Sequence, residues 1–210
     1  MLGIHDLALF IVSGLLLNMM PGPDSLLIML RSGSQGWRAG SVAALGIGTG
    51  TMVHVLAAAL GLSALLSTSA ELFAVIKLMG ALYLVYLGIS LLRHRPGAAV
   101  AGNEAVALPR LSYGRIFRQG LLTNVLNPKV ALFFLAFVPQ FIDPAAPQKA
   151  LAFIVLGCLF NLNGMIWCHL LAFSTEFASR KVRLPARVAT WLNRVMGGLF
   201  VGLGVKLAAE

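Results

Sequence analysis

Pro21-Gly22-Pro23-Asp24 interrupts an apolar run that extends from Ile4 to Leu30. Two prolines and a glycine break a helix, because each proline removes a backbone donor and its ring clashes with the carbonyl four residues back. The flanks, LALFIVSGLLLNMM and SLLIML, are apolar on both sides, so the break falls inside or at the edge of a membrane. Irregular backbone at that depth is tolerated only where protein or a water-filled cavity satisfies its polar groups. An aspartate beside it is costly in lipid unless it faces a cavity or a partner, which makes Asp24 the first candidate functional residue. The plainer alternative is that Asp24 only caps the helical piece that follows it.

Of 210 residues, 59% are hydrophobic and 11% charged. Soluble domains run near ~45–50% apolar and ~25% charged, so the composition is that of an integral membrane protein. The first apolar stretch has no basic leader segment and no small-residue cleavage site, and it reads as a retained helix. The net charge of +9 does not point to nucleic acid as a partner. The basic residues sit in short connections between apolar spans, which is the positive-inside pattern. Cys158 and Cys168 lie in one apolar stretch on different helix faces, so neither a disulfide nor a redox pair is expected.

A transmembrane helix needs roughly 20 mostly apolar residues. Six stretches qualify: 4–30, 41–66, 71–92, 115–138, 149–173 and 188–207. Arg31 and Arg38 are assigned to the first connection. Arg93, Arg95, Arg110, Arg115 and Arg118 surround the third, and Arg180, Lys181, Arg183 and Arg187 fill the fifth. The second has no Lys or Arg, and the fourth has Lys149 opposed by Asp143. Odd-numbered connections are therefore expected in the cytoplasm and both termini in the periplasm. The polar, Pro/Gly/Ala-rich segment at 94–111 reads as a cytoplasmic linker between halves at 1–93 and 112–210 of a single membrane domain.

The halves share their polar punctuation. Leu16-Leu17-Asn18-Met19-Met20-Pro21 aligns with Leu122-Thr123-Asn124-Val125-Leu126-Asn127, and a proline follows within two residues in each half. Lys77 to Tyr83 aligns in the same way with Arg194 to Phe200. With three spans per half the second copy runs inverted. The expected fold is thus all-α and membrane-integral: six transmembrane helices in two inverted three-helix repeats, with the first and fourth helices broken. Interrupted helices in such repeats mark the binding site of secondary transporters.

The second interruption, Asn124-x-x-Asn127-Pro128-Lys129, again lies within an apolar run. Lys129 is placed to pair with Asp24, to bind a carboxylate, or to snorkel to an interface. Gly46, Gly48 and Gly50 form a small-residue stripe suited to close helix packing, either within the monomer or in a homodimer. His54 follows mid-span with a side chain that titrates near neutral pH. The substrate and proton pathway is accordingly expected at Asn18, Pro21, Gly22, Pro23, Asp24, Gly50, His54, Asn124, Asn127, Pro128 and Lys129. There is no HExxH, G-x-S-x-G, Walker loop or paired acidic motif, so no enzyme, cofactor or metal site is expected. An exporter or pore for an inorganic ion is the alternative that the broken helices allow.

PGPDSLLIMLRSGSQGWRAGSVAALGIGTGTMVHVLAAALGLSALL resembles the amino half of the LysE/RhtB family of bacterial amino-acid exporters, and GLLTNVLNPKVALFFLAFVPQFIDP resembles its carboxyl-half signature. With KLMGALYLVYLGISLLR the resemblance covers nearly the whole chain. Pro21, Gly22, Pro23 and Asp24 fall on the first signature; Asn127, Pro128 and Lys129, then Pro139, Gln140 and Phe141, fall on the second. The resemblance implies a six-helix inner-membrane exporter of amino acids such as homoserine, threonine, leucine or lysine, coupled to protons.

Overall fold

A run of Leu, Phe, Ile and Val forms helix α1 (Leu7–Met19), which stops at the first break. Pro21 lacks the amide that would have bonded the Leu17 carbonyl, and Pro23 lacks the one for Met19. Pro23 then opens α2 (Pro23–Gln35), since its fixed φ suits the first helical position and its missing N–H is no loss there. These elements are seen in a computed structural model that describes residues 2–62 and 110–178, with scattered helical positions between 75 and 93 and between 194 and 208.

Gly36 alone joins α2 to α3 (Trp37–Ala57). Its φ of 88° and ψ of 167° lie where only glycine is at ease, so it sets the reversal of the chain. Helix α3 ends in a π turn at Ala58–Leu62. The second half of the described chain opens with α4 (Tyr113–Val125), breaks, and resumes as α5 (Pro128–Leu132). A π turn at Phe133–Phe137 and a 3-10 turn at Val138–Phe141 carry that piece on, and α6 (Lys149–Ala178) follows. The bend is 53° between α1 and α2, and 47° between α4 and the piece Pro128–Phe141.

Trp37–Gly61 and Lys149–Glu176 are each long and apolar enough to cross a membrane, and each bent pair passes the same test as one broken span. The fold is all-α, with the first and fourth helices broken as the prolines require. Leu26, Leu30, Leu45, Leu122, Ile166 and Leu170 face outward, where hydrocarbon suits them better than water. The expected third and sixth spans (71–92 and 188–207) and the linker up to residue 109 fall largely outside the described residues, as do Lys77 and Tyr83.

Two apolar clusters hold the described helices together. Phe10 of α1, Phe133, Phe134, Phe137 and Phe141 of the second broken helix, and Phe153 and Phe160 of α6 form the larger. Their rings meet both stacked and edge-on, as with Phe133 on Phe160 at 4.5 Å between centroids. The smaller cluster joins Ile28, Ala39, Ala43, Ala44, Ile116 and Ala172 from four helices. Between α3 and α4 the backbones themselves touch: a methyl group on Gly46 would strike the Phe117 carbonyl, and one on Gly120 the Ala43 carbonyl. Packing is therefore what the glycine stripe provides here.

One assignment from sequence is corrected. Arg31 is not a loop residue: α2 runs on to Gln35, and Arg31 is buried within it. Its side chain is held by Gln119 of α4, with Nε and Nη2 donating to Oε1 at 3.2 and 2.8 Å. Gln35 follows suit by exchanging two hydrogen bonds of 3.0 Å with the backbone of Leu111. These far partners hold the side chains of the helix beyond the point where the apolar run ends. Arg38 is exposed, in the first turn of α3.

Candidate functional site

The two breaks meet. Asp24, in the first turn of α2, turns Oδ2 to both asparagines of the other half: Asn124 Nδ2 donates at 2.9 Å and Asn127 Nδ2 at 3.0 Å. Oδ1 is sealed from solvent and has no hydrogen-bond partner. The carboxylate sits in the first turn of its own helix. It carries an acceptor that the protein leaves unused.

Asn127 is also the N-cap of α5, its Oδ1 accepting from the Lys129 backbone N–H at 3.1 Å. One side chain thus starts the second helical piece and binds the aspartate of the first. Asn124 is held from behind. Thr51 Oγ1 lies 3.3 Å from its Oδ1, and His54 Nε2 lies 3.1 Å from its carbonyl. Because a carbonyl only accepts, His54 carries a proton on Nε2. Its ring stacks on Phe134 with 4° between planes. Gly50 leaves the room that Asn124 fills, since a methyl group there would sit 2.9 Å from the Asn124 Cβ.

Lys129 is buried and donates Nζ to the carbonyls of Leu17 at 3.2 Å and Met20 at 3.1 Å. Pro21 takes away the helical partner of the Leu17 carbonyl, which keeps a 3.2 Å bond from the Met20 N–H, and the break takes away the amide that would have reached Met20. The lysine of one half therefore replaces the backbone donors missing from the other. It neither forms a direct ion pair with Asp24 nor snorkels.

Asn18, Asp24, Thr51, Asn124, Lys129 and Asn161 line a narrow cavity between the broken helices, α3 and α6. It has room for a water molecule and not for an amino acid in this conformation. Asn18 and Asn124, equivalent in the two halves, both reach it. Among the other expected residues, Gly22 packs against Lys129, while Pro21, Pro23 and Pro128 shape the breaks without lining the cavity. Gly50, His54 and Asn127 support the lining asparagine or aspartate. The wall contributed by α6, where Gly164, Met165 and Cys168 face inward, lies outside the residues expected from sequence. Small and polar residues spaced three to four apart, from Asn161 to Gly164 and Cys168, were the signal available. Arg31 and Gln119 lie outside that expected set as well. Cys158 and Cys168 are both free thiols.

The model of the LysE type translocator family matches residues 15–210. An uncharacterized membrane protein of Pseudomonas aeruginosa is 35% identical over 213 aligned residues, covering 99% of this chain and 96% of its own. Leucine efflux proteins of Salmonella typhimurium and Salmonella typhi are 28% identical, covering 98% of this chain and 96% of theirs. No solved structure matches.

Proposed function

The chain belongs to the LysE type translocator family, and from that premise we propose that it exports small amino acids or their derivatives across the bacterial inner membrane by exchange for protons. The observation that carries the reading is Asp24, a carboxylate at a membrane-buried break with one oxygen sealed and unpartnered. A substrate ammonium group and a proton are both ligands for that oxygen, and they exclude one another. Ammonium bound from the cytoplasmic side and displaced by a proton from outside gives outward movement of substrate and inward movement of protons.

The leucine efflux relatives support a substrate with an apolar side chain, and the homoserine, threonine and branched-chain types are the class proposed. The cavity does not admit such a molecule as it stands, so binding requires the two halves to part. Orientation is proposed from charge: Arg38, Arg110, Arg115 and Arg118, with the basic run from Arg180 to Arg187, mark the cytoplasmic face. Both termini then lie outside.

Efflux from cells or vesicles loaded with an amino-acid panel tests the proposal. Saturable export of an apolar class by the inserted protein is the expected result. Insertion without export of any amino acid, together with a metal-tolerance phenotype, would replace the reading with ion export.

A further inference from the structure

Arg31 and Asp24 share one face of α2. Seven residues separate them, which is two helical turns and about 10 Å along the axis. Facing them is α4, running antiparallel, so that Asp24 meets Asn124 and Arg31 meets Gln119. In both places a full charge on α2 is held only by neutral amides of the other half. Each charged group also keeps one buried polar atom without a partner: Oδ1 of Asp24 and Nη1 of Arg31.

Arg31 is 6% exposed and has no carboxylate within ion-pair distance among the described residues. A buried guanidinium that lacks an anion retains most of its desolvation cost. Its planar fork is matched to a carboxylate, which a single amide oxygen does not fill. Lys129 is the other buried cation nearby, but two of its three donors are committed to the carbonyls of Leu17 and Met20. The two unused atoms on α2 are thus opposite in sign, and they complement the two ends of a zwitterion.

We infer that Arg31 is the carboxylate-binding residue of the exporter, taking the substrate's carboxylate on its guanidinium when α2 and α4 part, while Asp24 takes the ammonium. This rests on the amino-acid exporter reading above. Substrate recognition then occurs on the seam between the two halves. A zwitterion replaces amide contacts at both ends with opposite charges, and so favours the parted state that the apolar packing of α3 and α4 resists. On this assignment the carboxylate and the ammonium each contribute to binding, so a molecule with either one binds and one with both binds best.

Saturable leucine transport is measured in proteoliposomes, with leucinamide (no carboxylate) and isocaproate (no ammonium) as competitors. In the wild type both compete. Arg31→Gln is expected to raise the leucine KM about ten- to a hundred-fold, the value of one charge-assisted contact. It should abolish competition by isocaproate and leave that by leucinamide. Asp24→Asn is expected to show the reverse preference in competitor binding, read by displacement of bound radiolabelled leucine from the detergent-solubilised protein. If Arg31→Gln does not insert, Arg31→Lys is read instead, with isocaproate competition weakened about three-fold and leucinamide unchanged.

Equal weakening of both competitors would make Arg31 structural and overturn the assignment. Isocaproate competing normally in Arg31→Gln would overturn it in favour of Lys129. A wild type that transports leucine but ignores both analogues also overturns it and leaves the exporter reading standing. A wild type that moves no amino acid overturns both.

Discussion

Replacing Lys129 with Met keeps the length and the apolar stem of the side chain and removes only the ammonium. The Leu17 and Met20 carbonyls then lose a donor at 3.2 and 3.1 Å; Leu17 keeps a 3.2 Å bond from the Met20 N–H, whereas Met20, at the break, keeps none among the described residues. A buried acceptor left unsatisfied costs about 1–3 kcal/mol and the one bond lost at Leu17 about 0.5–1.5 kcal/mol, so the gross loss is about 1.5–4.5 kcal/mol. Removing a buried cation returns part of that, because Lys129 no longer has to be desolvated. The Asn127 cap is untouched, since it uses the backbone N–H of residue 129. The net expectation is a destabilisation of about 1–3 kcal/mol, with Lys129→Arg recovering at least half because it restores donors. Equilibrium unfolding of the purified protein in mixed micelles, followed by tryptophan fluorescence, reads the difference. A Lys129→Met protein within about 0.5 kcal/mol of wild type would refute the idea that this lysine replaces the donors lost at the break.

Further outcomes follow from the same geometry. Gly36→Ala is expected to lose about 1–3 kcal/mol, because alanine is strained at φ 88° and ψ 167°. Gly33→Ala should be neutral or gain up to about 1 kcal/mol, since its site in α2 is open; thermal melting of the pair compares them directly. Gly120→Ala drives a methyl group into the Ala43 carbonyl and should cost about 1–3 kcal/mol at the α3–α4 contact, seen as a lowered Tm. Gln35→Ala removes both hydrogen bonds to the Leu111 backbone and should speed amide exchange at Leu111 about ten-fold or more, the effect of roughly 1.4 kcal/mol of local stability.

What could be read from sequence was what the backbone decides locally. A proline deletes a donor wherever it stands, so both breaks and the start of each second piece were visible at Pro23 and Pro128. Asn18, Asp24, Asn124 and Lys129 stood out as polar groups in apolar runs, and the cavity gathers all four. Their pairing was not legible. Charge suggests that Lys129 seeks Asp24, but the freed carbonyls, which no residue type advertises, take it instead. Arg31 looked like a loop residue because Ser32, Gly33 and Ser34 follow it. The helix continues there, and Gln119 and Leu111, far along the chain, hold its side chains. The α6 wall was faint for the opposite reason, since in a helix apolar nearly all round only Asn161, Gly164 and Cys168 mark the inward face.

In the proposed exchange Asp24 carries the substrate ammonium and the coupling proton in turn. The most direct test is proton movement during net leucine efflux from sealed, leucine-loaded proteoliposomes, recorded with a pH-sensitive dye trapped inside, for wild type and Asp24→Asn. Protons moving against leucine in the wild type, and a loss of that movement in the variant, are the predicted result. Proton-coupled leucine movement persisting unchanged in Asp24→Asn would contradict the account.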